Sequence, residues 1–173
     1  MAIALAAAAA LLLAPPSVAE LRAQQPVDEV AADLAYGLCP LFLAGQLPLT
    51  SSELTERGFS ATVSKQPHPR FGELSMVGAK RPDGEIGFGG AAGKVCTVAV
   101  QGPKLPAVLA RLKSSMALMG LHFAAARNLT PDVPGIRVET FSAPIDKQIL
   151  YLQLIDAGGP KPAVLAQLFV MDK

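Results

Sequence analysis

Tryptophan is absent from this 173-residue sequence, and aromatic residues make up only 5% of it. Proteins that bind unpaired nucleic-acid bases by stacking present several exposed aromatic rings, so this scarcity argues against such a surface. An excess of one charge is also lacking, because 15 Lys and Arg residues face 14 Asp and Glu residues. The basic residues are scattered, whereas nucleic-acid-binding proteins gather them on one face. We therefore expect no nucleic-acid partner and a mainly aliphatic core.

Histidine is scarce as well, and the two copies, His68 and His122, are far apart in the chain. Catalytic zinc sites use two or three histidines at short spacing, so we predict no metal site. Residues 87–92 match a loose dinucleotide-binding pattern, but β-like residues follow where a helix should hold the pyrophosphate. No serine-nucleophile motif is present. The sequence therefore predicts no cofactor and no catalytic residue.

The first nineteen residues have the pattern of a cleavable signal peptide. An apolar run, Met1–Ala14, precedes two prolines and the small-x-small triplet Ser17–Ala19. We predict cleavage after Ala19, with Ala23 as a second candidate position. The alternative is an uncleaved anchor, but the apolar run is shorter than the roughly 20 residues that a spanning helix needs. The prediction is a periplasmic or secreted protein with no stable membrane span after cleavage, its residues 20–173 forming one domain.

Two cysteines, Cys39 and Cys96, are the only ones in the chain. Exported proteins pair such residues in the oxidising compartment they enter, so we predict a disulfide between them. Closing a loop of this length stabilises a fold by roughly 4 kcal/mol in the chain-entropy description. Two buried free thiols or one reactive thiol are the alternatives, although no Cys-x-x-Cys motif supports reactivity. The bridge would connect the N-terminal helix to the sheet.

Three helices are predicted from apolar spacing and from residues typical of helix ends. The first begins at Pro26, and Pro40 should kink or end it. A short second helix has Thr50 as its N-cap and Glu53 in a capping box. The third and strongest spans residues 105–119, with an apolar stripe facing a core and Gly120 ending it.

The remainder alternates between β-rich runs and turn-forming residues. Loops are expected at residues 67–70, at the glycine-rich stretch 89–93 and at Ala143-Pro144. Strands are predicted at residues 61–65, 71–80, 85–88, 94–101, 121–127, 136–141, 149–155 and 164–171. Runs of strands around one long helix favour an α+β fold, in which an antiparallel sheet packs against the 105–119 helix. No internal repeat is evident between the two β-rich regions.

Two functional hypotheses follow from these patterns. The C-terminal strands are apolar on both sides, so either both faces are covered or one face is a homodimer or partner surface. The first hypothesis is a non-enzymatic binding or envelope accessory protein whose partner is a protein, an envelope component or a small molecule. The alternative is a small exported hydrolase with a site near His68 and His122, to which Arg70 and the glycine-rich loop would contribute.

Overall fold

The computed structural model describes residues 17–173, so most of the predicted signal peptide lies outside the described residues. In chain order, the helices and strands are α1 (Val18–Ala23), α2 (Val27–Asp33), a π-helical segment (Leu34–Leu38), α3 (Cys39–Leu43), α4 (Ser52–Thr55), β1 (Ser64–His68), β2 (Gly72–Arg81), β3 (Gly84–Ala91), β4 (Val95–Gln101), α5 (Leu105–Ser115), a 3-10 turn (Met116–Met119), β5 (Ala124–Ala126), β6 (Ile136–Ile145), β7 (Gln148–Ala157) and β8 (Ala163–Asp172). This is the α+β fold that the sequence predicts.

The eight strands form one antiparallel sheet in the order β1-β2-β3-β4-β8-β7-β6-β5. Each half of the chain contributes a helix followed by a four-stranded meander, and the last strands of the two meanders, β4 and β8, pair antiparallel at the centre. This order and this pairing are those of two units related by an approximate twofold rotation. The fold is therefore internally repeated, although the sequence shows no corresponding repeat.

The helices lie on one side of the sheet, which we call the first face. Buried aliphatic side chains from α2, α5, β4, β7 and β8 form one continuous core there. The disulfide between Cys39 and Cys96 is confirmed, and it joins α3 to β4 with both residues fully buried. Phe42 in the same helix meets Phe88 of β3 edge-on, with ring centroids 5.7 Å apart. The predicted connection between the N-terminal helix and the sheet is therefore present.

Pro40 disturbs the first helix upstream of itself. A proline has no N–H to donate to the carbonyl four residues earlier. The π-helical segment precedes it, with the Cys39 N–H bonded to the Leu34 carbonyl, and Pro40 then occupies the first turn of α3. The helical path thus continues through a widened turn, where the sequence predicts a kink or an end.

The predicted capping box at Thr50 is wrong. Helix α4 has Ser51 as its N-cap, without a side-chain cap bond. Glu53 instead bonds Arg57 at 2.6 Å, because an (i, i+4) carboxylate–guanidinium pair competes for the same side chain. The capping box that does form lies earlier, where the Ser17 side chain and Glu20 cap α1.

The first part of the glycine-rich stretch 89–93 belongs to a strand, and only its last two residues lie in the predicted connection, as a turn between β3 and β4. Gly89 and Gly90 belong to β3 and have φ values of 148° and 147°, which side chains rarely allow. A Cβ at Gly89 would strike the Ser75 carbonyl oxygen, and one at Gly90 would strike that of Val95. Glycine is needed at both positions because neighbouring backbones approach closely.

Two proline-containing segments predicted as loops also lie in strands. Pro67 and His68 belong to the edge strand β1, where a proline needs no ladder hydrogen bond on its open side. Pro144 belongs to β6 and pairs with Ile149, and the turn comes two residues later at Asp146, whose φ is 47°. Strand β5 covers only the middle of the predicted 121–127 strand.

The opposite side of the sheet, which we call the second face, is partly buried by the curl of the sheet itself. The turn after β1 brings Phe71 within 5.4 Å of Phe169 on β8, although β3 and β4 lie between β2 and β8. Arg70 lies over the same Phe169 ring, 4.7 Å from its centroid. At the other edge, Thr130 bonds Gln153 of β7. Both faces of the C-terminal strands are therefore covered within one chain to a large extent.

Among residues 17–173, no helix is long and apolar enough to cross a membrane.

Candidate functional site

A cavity of about 480 Å³ opens between the helical layer and the first face of the sheet. Its walls come from the π-helical segment, α3, the 3-10 turn after α5 and strands β6, β7 and β8. The lining residues are Tyr36, Gly37, Pro40, Leu41, Leu43, Leu118, Met119, Leu121, Ile145, Leu150, Leu168 and Val170. We call this space the tail cavity. Its volume lies in the range of small-molecule sites, which are mostly apolar and concave.

Local sequence features produce this space. The π-helical turn forced before Pro40 places Tyr36 and Gly37 on the cavity wall, and Gly37 contributes no side chain to fill it. On the other wall, α5 tightens into the 3-10 turn and Gly120 ends it with φ of 67°. The cavity thus lies where both helical elements depart from regular α-helix.

The polar group of the tail cavity is already bonded. The Tyr36 hydroxyl donates to the Leu112 carbonyl at 2.5 Å, and Tyr36 is 6% exposed. Burial raises the pKa of this hydroxyl, so Tyr36 stays neutral at physiological pH. A ligand in the cavity therefore meets aliphatic surface, and its bound portion must be apolar.

Two leucines mark the opening of the tail cavity. Leu41 is 40% exposed and Leu118 is 75% exposed, and both line the cavity. Single exposed leucines are ordinary on protein surfaces, and these two matter because both line one cavity. Their position gives an apolar ligand a path from solvent to the core.

The residues suggested for a hydrolase site do not come together. His68 lies on the edge strand β1, whereas His122 is exposed next to β5 at the opposite edge of the sheet. Arg70 stacks on Phe169, and the glycine-rich stretch forms the end of β3 and the turn after it. Within residues 17–173 there is no group of three or more His, Cys, Asp or Glu residues placed to hold a metal ion.

His68 has a structural environment of its own. Its Nδ1 accepts the N–H groups of Arg70 and Phe71 at 3.2 and 3.3 Å, and its ring lies 5.0 Å from that of Phe71. Burial and, to a smaller extent, the charge of Arg70 lower the pKa of His68. The neutral imidazole thus closes the turn that brings Phe71 onto the second face.

A row of polar side chains crosses the second face where four strands are in register. Thr97, Gln167, Gln153 and Thr140 occupy paired positions on β4, β8, β7 and β6, and all four are buried. Gln153 Nε2 donates to Thr140 Oγ1 at 3.2 Å, and Gln167 Nε2 donates to Thr97 Oγ1 at 3.5 Å. Because their hydrogen bonds run mainly to one another and to loop residues, we interpret this row as structural.

Sequence reasoning missed the tail cavity because its walls come from separate segments. The residue that could have indicated the cavity is Leu118. It lies off the apolar stripe of the 105–119 helix, so the sequence predicts no core contact for it.

Comparison of the chain with protein-family models, with curated proteins and with solved structures finds no match.

Proposed function

We propose that this chain is an exported, non-enzymatic binding protein whose tail cavity takes the aliphatic portion of a small ligand. The observation that carries the proposal is an apolar, open cavity whose one buried hydroxyl, that of Tyr36, is already bonded to the Leu112 carbonyl. An unbranched hydrocarbon chain can pack against such apolar walls without leaving a polar group unpaired. The scattered positions of His68 and His122 add support.

Export is the second part of the proposal. The Cys39–Cys96 bridge supports a periplasmic or secreted location, because structural disulfides persist in oxidising compartments. The apolar leader that ends before Ser17 is the sequence feature that favours the same location. An envelope location would also bring the protein close to lipid-derived molecules that carry aliphatic chains.

Self-association remains a separate prediction. Half-exposed Leu165 and Ile155, together with Val138, form an apolar strip on the second face, beside the polar row. A homodimer through the C-terminal strands would cover this strip, whereas the tail cavity on the other face would stay accessible.

The binding experiment uses an apolar fluorophore, N-phenyl-1-naphthylamine, which becomes bright in an apolar site. We expect the protein to bind it and dodecanol to displace it. Val170→Phe should fill the cavity and weaken binding by about tenfold, a change of about 1.4 kcal/mol.

The matched control is Leu165→Phe, on the same strand β8 and equally half-buried, but on the second face. It should bind the fluorophore like the unaltered chain. Equal weakening by both substitutions, or no fluorophore binding at all, would contradict the proposed site.

A further inference from the structure

A polar cleft of about 320 Å³ adjoins the mouth of the tail cavity. Glu29, Ala32 and Asp33 of α2 face Arg111 and Ser115 of α5 across it, and Leu118 completes the lining. We call it the head cleft. Leu118 lines both spaces, and a Cβ on the cavity residue Gly37 would lie 3.4 Å from Asp33 Oδ1. The two spaces therefore share the Leu118 side chain, and Gly37 of the first lies one helical turn from Asp33 of the second.

Ser115 offers a hydroxyl to the head cleft. It is 8% exposed and lines the cleft, and its hydroxyl has no hydrogen-bond partner among residues 17–173. The neighbouring Ser114, by contrast, donates to the Arg111 carbonyl at 3.1 Å. Ser115 Oγ is not one of the fully buried side-chain atoms that lack a partner in the described part of the chain, so it reaches solvent. A ligand head group in the cleft can therefore donate to Ser115 Oγ in place of water.

The charge around the head cleft favours a cation. The Arg111 guanidinium is shared between Asp28 at 3.8 Å and Glu29 at 3.7 Å. On the other side, Arg57 is shared between Asp33 at 2.9 Å and Glu53 at 2.6 Å. Arg22 also pairs with Glu53 and with Glu56, so three guanidiniums face five carboxylates in this network, which leaves negative charge in excess.

The helix that ends at the cleft adds to this preference. Ser115 is the last residue of α5, an eleven-residue helix whose C-terminus carries partial negative charge. Arg111 holds its two carboxylates only loosely, at 3.7 to 3.8 Å, so an incoming cation can share them.

We propose that the ligand is a cationic amphiphile: its aliphatic chain enters the tail cavity and its ammonium head binds in the head cleft. The ammonium donates to Ser115 Oγ and to the Glu29 carboxylate, next to Asp33. This inference rests on the proposed function, because the chain of the ligand occupies the cavity assigned there.

The test compares three probes with the same chain and different heads: dodecylammonium, dodecanol and dodecanoate. Each displaces N-phenyl-1-naphthylamine from the full protein at neutral pH, below its micelle concentration. We expect dodecylammonium to bind about threefold to tenfold more tightly than dodecanol, and dodecanoate more weakly than either. Ser115→Ala and Glu29→Gln should each reduce this preference, because each removes one acceptor of the ammonium head.

Glu139→Gln is the matched control, because it removes the same charge from a carboxylate that pairs with Lys113 away from the cleft. It should keep the full preference for the ammonium head. Equal binding of the three probes, or tighter binding of dodecanoate, would overturn the cationic head and leave the aliphatic site standing. If none of the probes displaces the fluorophore, the proposed function itself fails.

Discussion

The two halves of the sheet share one topology but use different side chains to reach it. The N-terminal meander relies on glycine: β3 contains Gly84, Gly87, Gly89 and Gly90, and backbones approach closely there. The C-terminal meander has large aliphatic residues facing the helices and Gln153 and Gln167 on the second face. We infer that the curvature of the sheet in the first half depends on glycine positions that carry no side chain. In the second half it depends on side chains that are hydrogen-bonded to one another.

The largest effect is expected where the N-terminal half allows no side chain. Gly90→Ala places a Cβ against the Val95 carbonyl at a φ of 147°, so β3 and β4 must separate. We expect a loss of about 3 kcal/mol or more in the free energy of unfolding, measured by urea titration. Gly159→Ala, at a φ of 103° with open space around it, should cost much less. Equal losses of unfolding free energy in the two variants would show that backbone strain at positive φ alone explains the need for glycine. The close approach of a neighbouring strand would then play no part.

Loss of the disulfide should have the next largest effect. A Cys39→Ala/Cys96→Ala chain is expected to lose about 2–4 kcal/mol in the free energy of unfolding, because its unfolded state is no longer cross-linked. The check is thermal unfolding of this chain beside the unaltered chain with and without a reductant. Protein recovered from an export-competent bacterium should also show the mass of the oxidised form without the leader. An unchanged melting temperature would mean that packing of α3 on β4 holds the helix without the bridge.

The smallest of the three effects concerns the polar row of the C-terminal half. Gln153→Ala removes the bonds to Thr140 and Thr130 and leaves their hydroxyls with fewer partners, at an expected cost of about 1–3 kcal/mol. Gln167→Ala, whose bond to Thr97 is 3.5 Å long, should cost less. Urea titration of both variants ranks them, and the reverse order would contradict the role assigned to Gln153.

The parts of the fold that the sequence predicts well are those determined locally. The 105–119 helix is identified from its own apolar spacing, with Pro106 at its start and Gly120 at its end, and the structure confirms it as α5 with its 3-10 extension. The segment Arg81-Pro82-Asp83-Gly84 likewise has residues typical of a turn, and it joins β2 to β3. Such signals depend only on residues a few positions apart, so they can be recognised directly in the sequence.

Several of the wrong predictions concern residues whose environment comes from distant segments. Gly89 resembles a flexible loop residue in the sequence because the carbonyl that requires it, that of Ser75, lies on another strand. The tail cavity is not predictable for the same reason, since Tyr36, Leu118 and Ile145 meet only after folding. Ser115 is an ordinary helical serine in the sequence, and only the fold shows that it lines the head cleft.

The pairing of β4 with β8 has a consequence for the order of folding. Val95 and Phe169 are partners in this central ladder although most of the second half of the chain separates them. Until β8 is in place, the apolar strand Val95–Val100 has an open edge, and open edges of this kind promote aggregation. Closure of a loop this long before its contacts form also slows folding. The folding chain is therefore protected from misassembly only when its last strand, β8, has paired with β4.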